Sequence, residues 1–135
     1  MKKKSLKTLT TKLDAVFSKY IRLRDADGRG NCRCVTCDAV KPVKEMHCGH
    51  FVSRVHKALR WDERNCSAQC PACNLFHEGR KDVYAVRLIE KYGPHILHEF
   101  YLQKQKPYKI TAVEMEEMIA DYQIKLAEFE ELETV

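Results

Sequence analysis

The sequence has few of the residues that mark disordered or membrane-spanning chains. Glycine and proline number 5 and 4 among 135 residues and 32% are charged, so a low-complexity segment is excluded. No run approaches the roughly 20 apolar residues of a membrane span. The basic residues 1–4 lead into an amphipathic segment without an apolar core or a small-residue cleavage site, which is not typical of a signal peptide. We expect one folded domain and no membrane association.

Cysteine, by contrast, is abundant, with seven residues in the chain. Four of them form two C-x-x-C pairs, Cys34/Cys37 and Cys70/Cys73, which 32 residues separate. Two such knuckles can complete a tetrahedral thiolate site, and in a reducing cytoplasm this pattern favours a metal over disulfides. We predict a structural Zn²⁺ that clamps both ends of the intervening segment. Four unrelated thiols, or redox pairs in an intracellular redox protein, are the alternatives.

The other three cysteines lack this spacing. Cys32 could compete with Cys34 as a ligand, but only Cys34 has the knuckle spacing. We predict that Cys48 and Cys66 are small buried side chains, the commoner fate of a free cysteine.

Charge is distributed unevenly along the chain, although its net value is only +5. Residues 112–135 carry eight acidic side chains and one lysine, a net of −7. Residues 1–111 carry 23 Lys/Arg against 11 Asp/Glu, a net of +12. A basic body suggests a polyanionic partner such as DNA. An ordinary solvated surface is the alternative that charge alone leaves open.

Apolar periodicity divides the chain into three segments. Residues 5–24 and 81–92 repeat apolar side chains at helical spacing, Gly93-Pro94 ends the second helix, and Thr111 to Glu114 has the capping-box spacing that opens a last helix. Residues 31–79 lack a helical period and fit short strands and turns. We therefore predict an N-terminal basic amphipathic helix and loop (1–30), a zinc-bound core (31–93) and a C-terminal helical extension (94–135).

Histidine and asparagine side chains lie between the knuckles and directly after them. The chain has His47-Cys-Gly-His50, then Asn65, then Asn74 immediately after Cys73. A histidine on a short strand, an asparagine in the following loop and a metal ligand where a helix starts resemble the HNH motif in its zinc-bearing branch. The segment Cys70-Pro-Ala-Cys73-Asn74 resembles the phage resolvase endonuclease VII.

The match is closer still to the NinG/Rap recombination nucleases of lambdoid phages and covers roughly residues 12–93. It rests on Cys34-Val-Thr-Cys37, Gly49-His50-Phe51, Leu59 to Asn65, Gln69 to Asn74, Gly79, and the helix with Tyr84, Arg87, Leu88 and Ile89. The resemblance implies an α+β fold, in which a small zinc-stapled ββα-metal (HNH-type) core is flanked by N- and C-terminal amphipathic helices. It also implies a metal-dependent, structure-selective DNA endonuclease that acts on Holliday junctions and D-loops. Such a protein would be phage- or prophage-encoded, would work in the cytoplasm of a bacterial host, and would have phage recombination proteins as candidate partners.

The HNH resemblance assigns roles that phosphodiester hydrolysis can use. His50 is the candidate general base, because a neutral histidine can take a proton from water at physiological pH. Asn65 is expected to hold the loop and orient the base through hydrogen bonds. Asn74 and His47 are candidates for holding a catalytic divalent cation, Mg²⁺ or Mn²⁺, which would stabilise transition-state charge and the leaving oxygen.

One departure from the family pattern concerns the catalytic cation. HNH enzymes usually place an acidic ligand directly before the base, where this chain has Gly49, and NinG-like proteins place one three positions before it, where this chain has His47. An imidazole ligand shifts the preference from Mg²⁺ towards Mn²⁺, Ni²⁺ or Zn²⁺. A surface histidine is the alternative for His47.

His77 is a second candidate ligand if a helix begins at Asn74, because Asn74 and His77 would then share a helix face. A solvated histidine is the alternative for His77.

Basic side chains crowd around the proposed site and are candidate phosphate contacts, with ordinary surface charge as the alternative. They are Arg54, Lys57, Arg60, Arg64, Arg80 and Lys81.

Because a junction has two-fold symmetry, we expect a homodimer joined through the terminal helices; the alternative is that these helices pack on their own core. A non-catalytic zinc DNA-binding module and a generic HNH nicking endonuclease are the competing functions.

Overall fold

The computed structural model describes residues 4–133 as a mixed α+β fold of helices and two small antiparallel sheets. Residues 1–3 of the predicted N-terminal segment and residues 134–135 of the C-terminal extension lie outside the described residues. The principal elements are α1 (Leu6–Arg24), β1 (Asn31–Arg33), β2 (Val40–Pro42), β3 (His47–His50), α2 (Lys57–Arg60), β4 (Cys66–Gln69), α3 (Lys81–Tyr92), α4 (His95–Gln105) and α5 (Ala112–Glu133). Within this described range, no helix is long and apolar enough to cross a membrane.

The long helices begin where the sequence predicts them. The hydroxyl of Ser5 accepts the N–H of Thr8 at 3.1 Å and so caps α1. The hydroxyl of Thr111 accepts the N–H of Glu114 at 3.1 Å, and the Glu114 carboxylate accepts the backbone N–H of Thr111 at 3.4 Å. This confirms the predicted capping box before α5. Helix α3 ends at Tyr92 and is followed by Gly93, whose φ of +96° favours a residue without a side chain.

The apolar faces of α1 and α5 pack against each other within one chain. Their buried contacts include Leu9, Leu13, Phe17, Ile21, Met115, Ile119 and Tyr122, with Trp61 and Cys66 beneath them. The two faces therefore fill the chain's own core, which is the alternative that the sequence left open. The homodimer stays a prediction, but these faces no longer motivate it, and removing residues 112–135 would uncover the core.

Two antiparallel hairpins make up the region between α1 and α3. Strand β1 pairs with β2, and β3 pairs with β4 in the register His47↔Gln69 to His50↔Cys66. A 3₁₀ turn, Glu63–Asn65, leads into β4, and a short π-helical turn, Ala72–Phe76, follows it. The predicted absence of a long helix between residues 31 and 79 is thus confirmed.

The end of α1 is fastened to β4, which sets the helix beside β3. Arg24 donates to the carbonyls of Glu63 and Cys66 at 2.9 and 2.8 Å, while the carboxylate of Asp25 accepts the N–H of Ala68 at 2.8 Å. These charge-assisted bonds cross more than 35 residues of sequence, which periodicity cannot reveal. Helix α1 consequently forms one wall of the cavity described below.

Candidate active site

The four knuckle cysteines come together as the spacing predicts. The thiols of Cys34, Cys37, Cys70 and Cys73 lie within 4.8 Å of one another, and the Cys37 and Cys70 sulfurs are 3.6 Å apart. This cluster could hold a metal ion such as zinc. Cys32 is excluded from it, because its buried thiol donates to the carbonyl of Arg22 at 3.1 Å.

The knuckle thiols differ in how readily they ionise. Burial raises the pKa of Cys34, but the N–H of Cys70 at 3.3 Å and the Thr36 hydroxyl outweigh it and lower the pKa to about 6. Burial and the neighbouring thiols raise the pKa of Cys37 to about 12. Cys34 is thus prepared for ionisation by its hydrogen bonds, whereas Cys37 gains a reason to ionise only from a bound cation.

A cavity of about 610 Å³ lies between α1 and β3 and gathers most of the predicted catalytic side chains. His47, His50 and Asn74 all border it, although they come from two strand positions and from the turn after the second knuckle. Three cations, Arg22, Arg54 and Lys81, also line it, together with one carboxylate, Asp14. The cavity therefore combines nitrogen and oxygen donors with positive charge, a composition that suits an anionic ligand.

His50 is held in one orientation by the backbone. Its Nε2 lies 2.9 Å from the carbonyl oxygen of Arg60, which can only accept, so Nε2 carries the proton and Nδ1 keeps the lone pair in the neutral ring. Burial lowers the pKa of His50 below its usual value, against the opposing effect of the Arg60 carbonyl. The imidazole is consequently neutral at physiological pH and able to accept a proton.

Asn65 fastens the loop that supplies this carbonyl. Its buried amide donates to the carbonyls of Val52 and Leu59, each at 3.0 Å, and accepts the N–H of Val52 at 2.8 Å. All of these bonds lie within the chain, so Asn65 closes the loop between β3 and β4 and holds α2 in place. Because α2 ends at Arg60, this loop positions the Nε2 partner of His50.

His47 and Asn74 meet across the cavity. The Asn74 Nδ2 atom lies 3.0 Å from Nδ1 of His47, and a half-turn of the amide would place Oδ1 there instead. The N–H of Asn74 bonds to the carbonyl of Cys70 at 3.0 Å, so the knuckle turn itself positions this side chain. Together they offer one nitrogen and one oxygen donor that could share a divalent cation.

His77 lies apart from this pair. The π-helical turn begins at Ala72 and ends at Phe76, so Asn74 lies in its middle and His77 follows it. No helix begins at Asn74, so the condition under which Asn74 and His77 would share a face is not met. The His77 side chain is exposed and is absent from the lining of the cavity, within the part of the chain that the structure describes.

Gly49 directly precedes His50, the candidate base, at the position where the HNH resemblance leads us to expect an acidic ligand. A Cβ atom at this position would lie 2.3 Å from Oε1 and 2.8 Å from Cβ of buried Gln69 on β4. The Gly49 carbonyl also accepts the hydroxyl of buried Tyr84 at 2.7 Å. Close packing behind β3 thus leaves no room for a side chain directly before His50.

Gly49→Ala should accordingly lower the stability of the protein by about 1–3 kcal/mol, because the added methyl group must displace Gln69. Gly28→Ala is the matched control, since nothing lies within 4 Å of a Cβ there. Thermal unfolding of both variants measures the difference. Equal melting temperatures for the two variants would contradict the close packing of β3 on β4.

Three of the predicted phosphate contacts already have partners within the chain. The guanidinium of Arg60 donates to the carboxylate of Asp14 at 3.0 Å, and Arg64 donates to Glu99 at 2.6 Å. Arg80 donates to the Cys73 sulfur at 3.1 Å. Their contacts with DNA stay predictions, and each would compete with an internal interaction.

The other three basic residues lie on the surface. Arg54 and Lys57 are exposed and make no ion pair among residues 4–133, and Arg54 borders the cavity. Lys81 is exposed too, although its ammonium donates to the carbonyls of His50 and Phe51, the latter at 2.6 Å. Arg54 and Lys57 are thus the side chains most available to phosphate.

Two cysteines near His50 were not recognised from the sequence as parts of a site. Cys48 is only partly buried and lines the cavity, so the prediction that it is buried is wrong, whereas the burial of Cys66 is confirmed. Both thiols lie within 4.8 Å of a ring nitrogen of His50 and of each other. The two-residue spacing of Cys48 and His50 predicts that they share a strand face. The position of Cys66 beside them depends on the register of β3 and β4, which the sequence spacing does not give.

Comparison with known proteins finds one family and several relatives. The family model described as "Bacteriophage Lambda NinG protein" matches residues 1–133. The protein ninG of Salmonella phage P22 is 32% identical over 108 residues, which are 79% of this chain and 50% of that protein. The corresponding values for the protein ninG of Escherichia phage lambda are 30%, 79% and 50%. The chain thus spans about half the length of the curated relatives it matches. No solved structure matches it significantly.

Proposed function

The chain belongs to the NinG family of phage proteins, and from that premise we propose that it is a metal-dependent, structure-selective DNA endonuclease with a ββα-metal (HNH-type) site. One observation carries the proposal: a single cavity holds a neutral, oriented histidine beside the His47–Asn74 pair, with Arg22, Arg54 and Lys81 around it. The proposed substrates are branched recombination intermediates, namely Holliday junctions and D-loops. This substrate class rests on the family resemblance, whereas the charge and the site support DNA in general.

In this proposal, different residues of the chain have different roles in hydrolysis. Nδ1 of His50 takes the proton from the attacking water, while its Nε2 stays bonded to the Arg60 carbonyl and fixes the ring. Arg54 and Arg22 border the place where the scissile phosphate would lie and balance its charge. Asn65 keeps the base in register by closing the loop that holds Arg60.

The donors at the cavity fit a divalent cation of intermediate softness. His47 and Asn74 supply neutral nitrogen and oxygen, and the nearby carboxylate of Asp14 is already bonded to Arg60 and to the indole of Trp61. A bound cation would stabilise the charge that develops on phosphate and on the leaving 3′ oxygen. Of the two cations predicted from the sequence, Mn²⁺ therefore suits the site better than Mg²⁺.

The four-cysteine cluster is proposed to hold a structural Zn²⁺. Four thiols and no open position are typical of a structural zinc rather than a catalytic one. The zinc would support the cavity indirectly, because the carbonyl of Cys70, in the second knuckle, accepts the N–H of Asn74 and so positions that residue.

Cleavage of a labelled four-way junction, compared with a matched linear duplex, tests the function. We expect cuts near the branch point with Mn²⁺ and little cleavage of the duplex. Equal cleavage of both substrates would favour a generic nicking endonuclease. Binding of the junction without cleavage, under Mg²⁺, Mn²⁺, Ni²⁺ and Zn²⁺ alike, would favour a non-catalytic DNA-binding module.

The cation ligands can be tested through metal rescue. His47→Ala and Asn74→Ala should each lower the cleavage rate, and higher Mn²⁺ should restore part of it, since losing one ligand weakens metal binding by at least about tenfold. His77→Ala, which changes an exposed histidine outside the cavity, is the control and should behave as wild type. A loss of activity that Mn²⁺ leaves unchanged would refute the assignment of both residues as ligands.

A further inference from the structure

A second group of side chains that could hold a metal ion includes the proposed base, His50. Cys48 and His50 are two residues apart on β3 and so point to the same face, and Cys66 on β4 lies directly opposite His50. The two sulfurs and a ring nitrogen of His50 are all within 4.8 Å of one another. This places three soft or borderline donors on one face of a hairpin.

The separation of these atoms suits a tetrahedral thiophilic ion after small side-chain rotations. With Zn–S bonds of about 2.3 Å and Zn–N bonds of about 2.0 Å, neighbouring ligand atoms lie roughly 3.5–3.8 Å apart. The four knuckle thiols meet the same 4.8 Å limit. Because Cys48 and His50 line the cavity, the fourth coordination position would face the cavity, where water could occupy it.

The donors also differ from those of the proposed catalytic centre. His47 and Asn74 offer only nitrogen and oxygen, whereas Cys48 and Cys66 offer sulfur. Thiolates select Zn²⁺ and Cd²⁺ over Mn²⁺ and Mg²⁺. The two groups would therefore discriminate between cations although they share a cavity.

We propose that Cys48, His50 and Cys66 form a binding site for a thiophilic divalent cation, Zn²⁺ or Cd²⁺, separate from the four-cysteine site. Since Nε2 of His50 is bonded to the Arg60 carbonyl, the ion takes the Nδ1 lone pair. That lone pair cannot bind a cation and accept a proton at once. Occupation of the site therefore inhibits cleavage, a consequence that rests on the proposed function, whereas the binding itself does not.

Cadmium binding to the full chain tests the site without reference to activity. Titration of the reduced protein with ¹¹³Cd²⁺ should give two NMR signals and about two thiolate-bound ions per chain. Cys48→Ala, which alters a partly buried side chain, should lose one signal and keep the four-thiolate one. Cys32→Ala is the control, because its thiol belongs to neither group. One signal in the wild type, or two in Cys48→Ala, would overturn the proposal.

Inhibition is measured on the junction substrate with Mn²⁺ present. Micromolar Zn²⁺ should inhibit the wild type, and Cys48→Ala should need at least about tenfold more Zn²⁺ for the same effect. Equal inhibition of both proteins would overturn the regulatory part of the proposal. If the wild type binds two cadmium ions but never cleaves DNA, the endonuclease assignment fails while the site stands.

Discussion

His50→Ala should lower the rate of junction cleavage by roughly 100- to 10,000-fold and leave DNA affinity nearly unchanged. In the proposed mechanism the histidine acts in the transition state, where it removes a proton from water, whereas binding comes from surrounding basic side chains such as Arg54. The side chain is also only partly buried, so its removal should leave the fold intact.

Single-turnover cleavage and equilibrium binding of one junction separate these two effects. His98→Ala, an exposed histidine on α4 that does not line the cavity, is the matched control and should cleave at the wild-type rate. If His50→Ala cleaves as fast as His98→Ala, the assignment of the general base is wrong.

The pH dependence of wild-type cleavage gives a further check on His50. A general base works only when neutral, so the rate should fall as the pH drops through the pKa of His50. Burial lowers that pKa, so the acid limb should lie below the value of about 6.5 for an ordinary histidine. An acid limb above that value would indicate another titrating group.

Cys70→Ser/Cys73→Ser should abolish tight zinc binding and cooperative unfolding of the core. Zinc binding to small structural sites contributes on the order of 10 kcal/mol or more to folding. Apart from Met46, the buried cluster around the knuckles consists of cysteines and Ala68, so little apolar packing could replace the metal. Loss of this site should also release Asn74, whose N–H bonds to the Cys70 carbonyl.

Elemental analysis and thermal unfolding of purified protein measure both effects. Cys32→Ala removes a buried thiol outside the cluster and should keep its zinc. A metal-free double variant that unfolds as cooperatively as wild type would show that zinc does not hold the core together.

Local sequence patterns predicted much of the fold. The apolar repeats of residues 5–24 and 81–92, the helix stop at Gly93 and the capping box at Thr111 are local signals, and the structure has α1, α3 and α5 where they predict them. The knuckle cluster also follows from spacing, because a C-x-x-C turn sets its two sulfurs close together whatever the rest of the chain does.

Contacts between distant segments could not be predicted in this way. The bond between Asp14 and Arg60 joins residues 46 apart, and it gives a predicted phosphate contact a partner within the chain, on the loop beside His50. The strand register that brings Cys66 to His50 depends on side-chain packing across the hairpin. The helix faces of α1 and α5 were recognised, but periodicity does not say that each covers the other.

Incubation of the wild-type chain with a labelled four-way junction and Mn²⁺, beside His50→Ala, tests the proposed endonuclease most directly. We expect the wild type to produce cut strands near the branch point, a chelator to stop the reaction, and His50→Ala to bind the junction but leave it intact. If the wild-type protein binds the junction but never cuts it with Mg²⁺, Mn²⁺, Ni²⁺ or Zn²⁺, this result would contradict the assignment of the cavity as a nuclease active site.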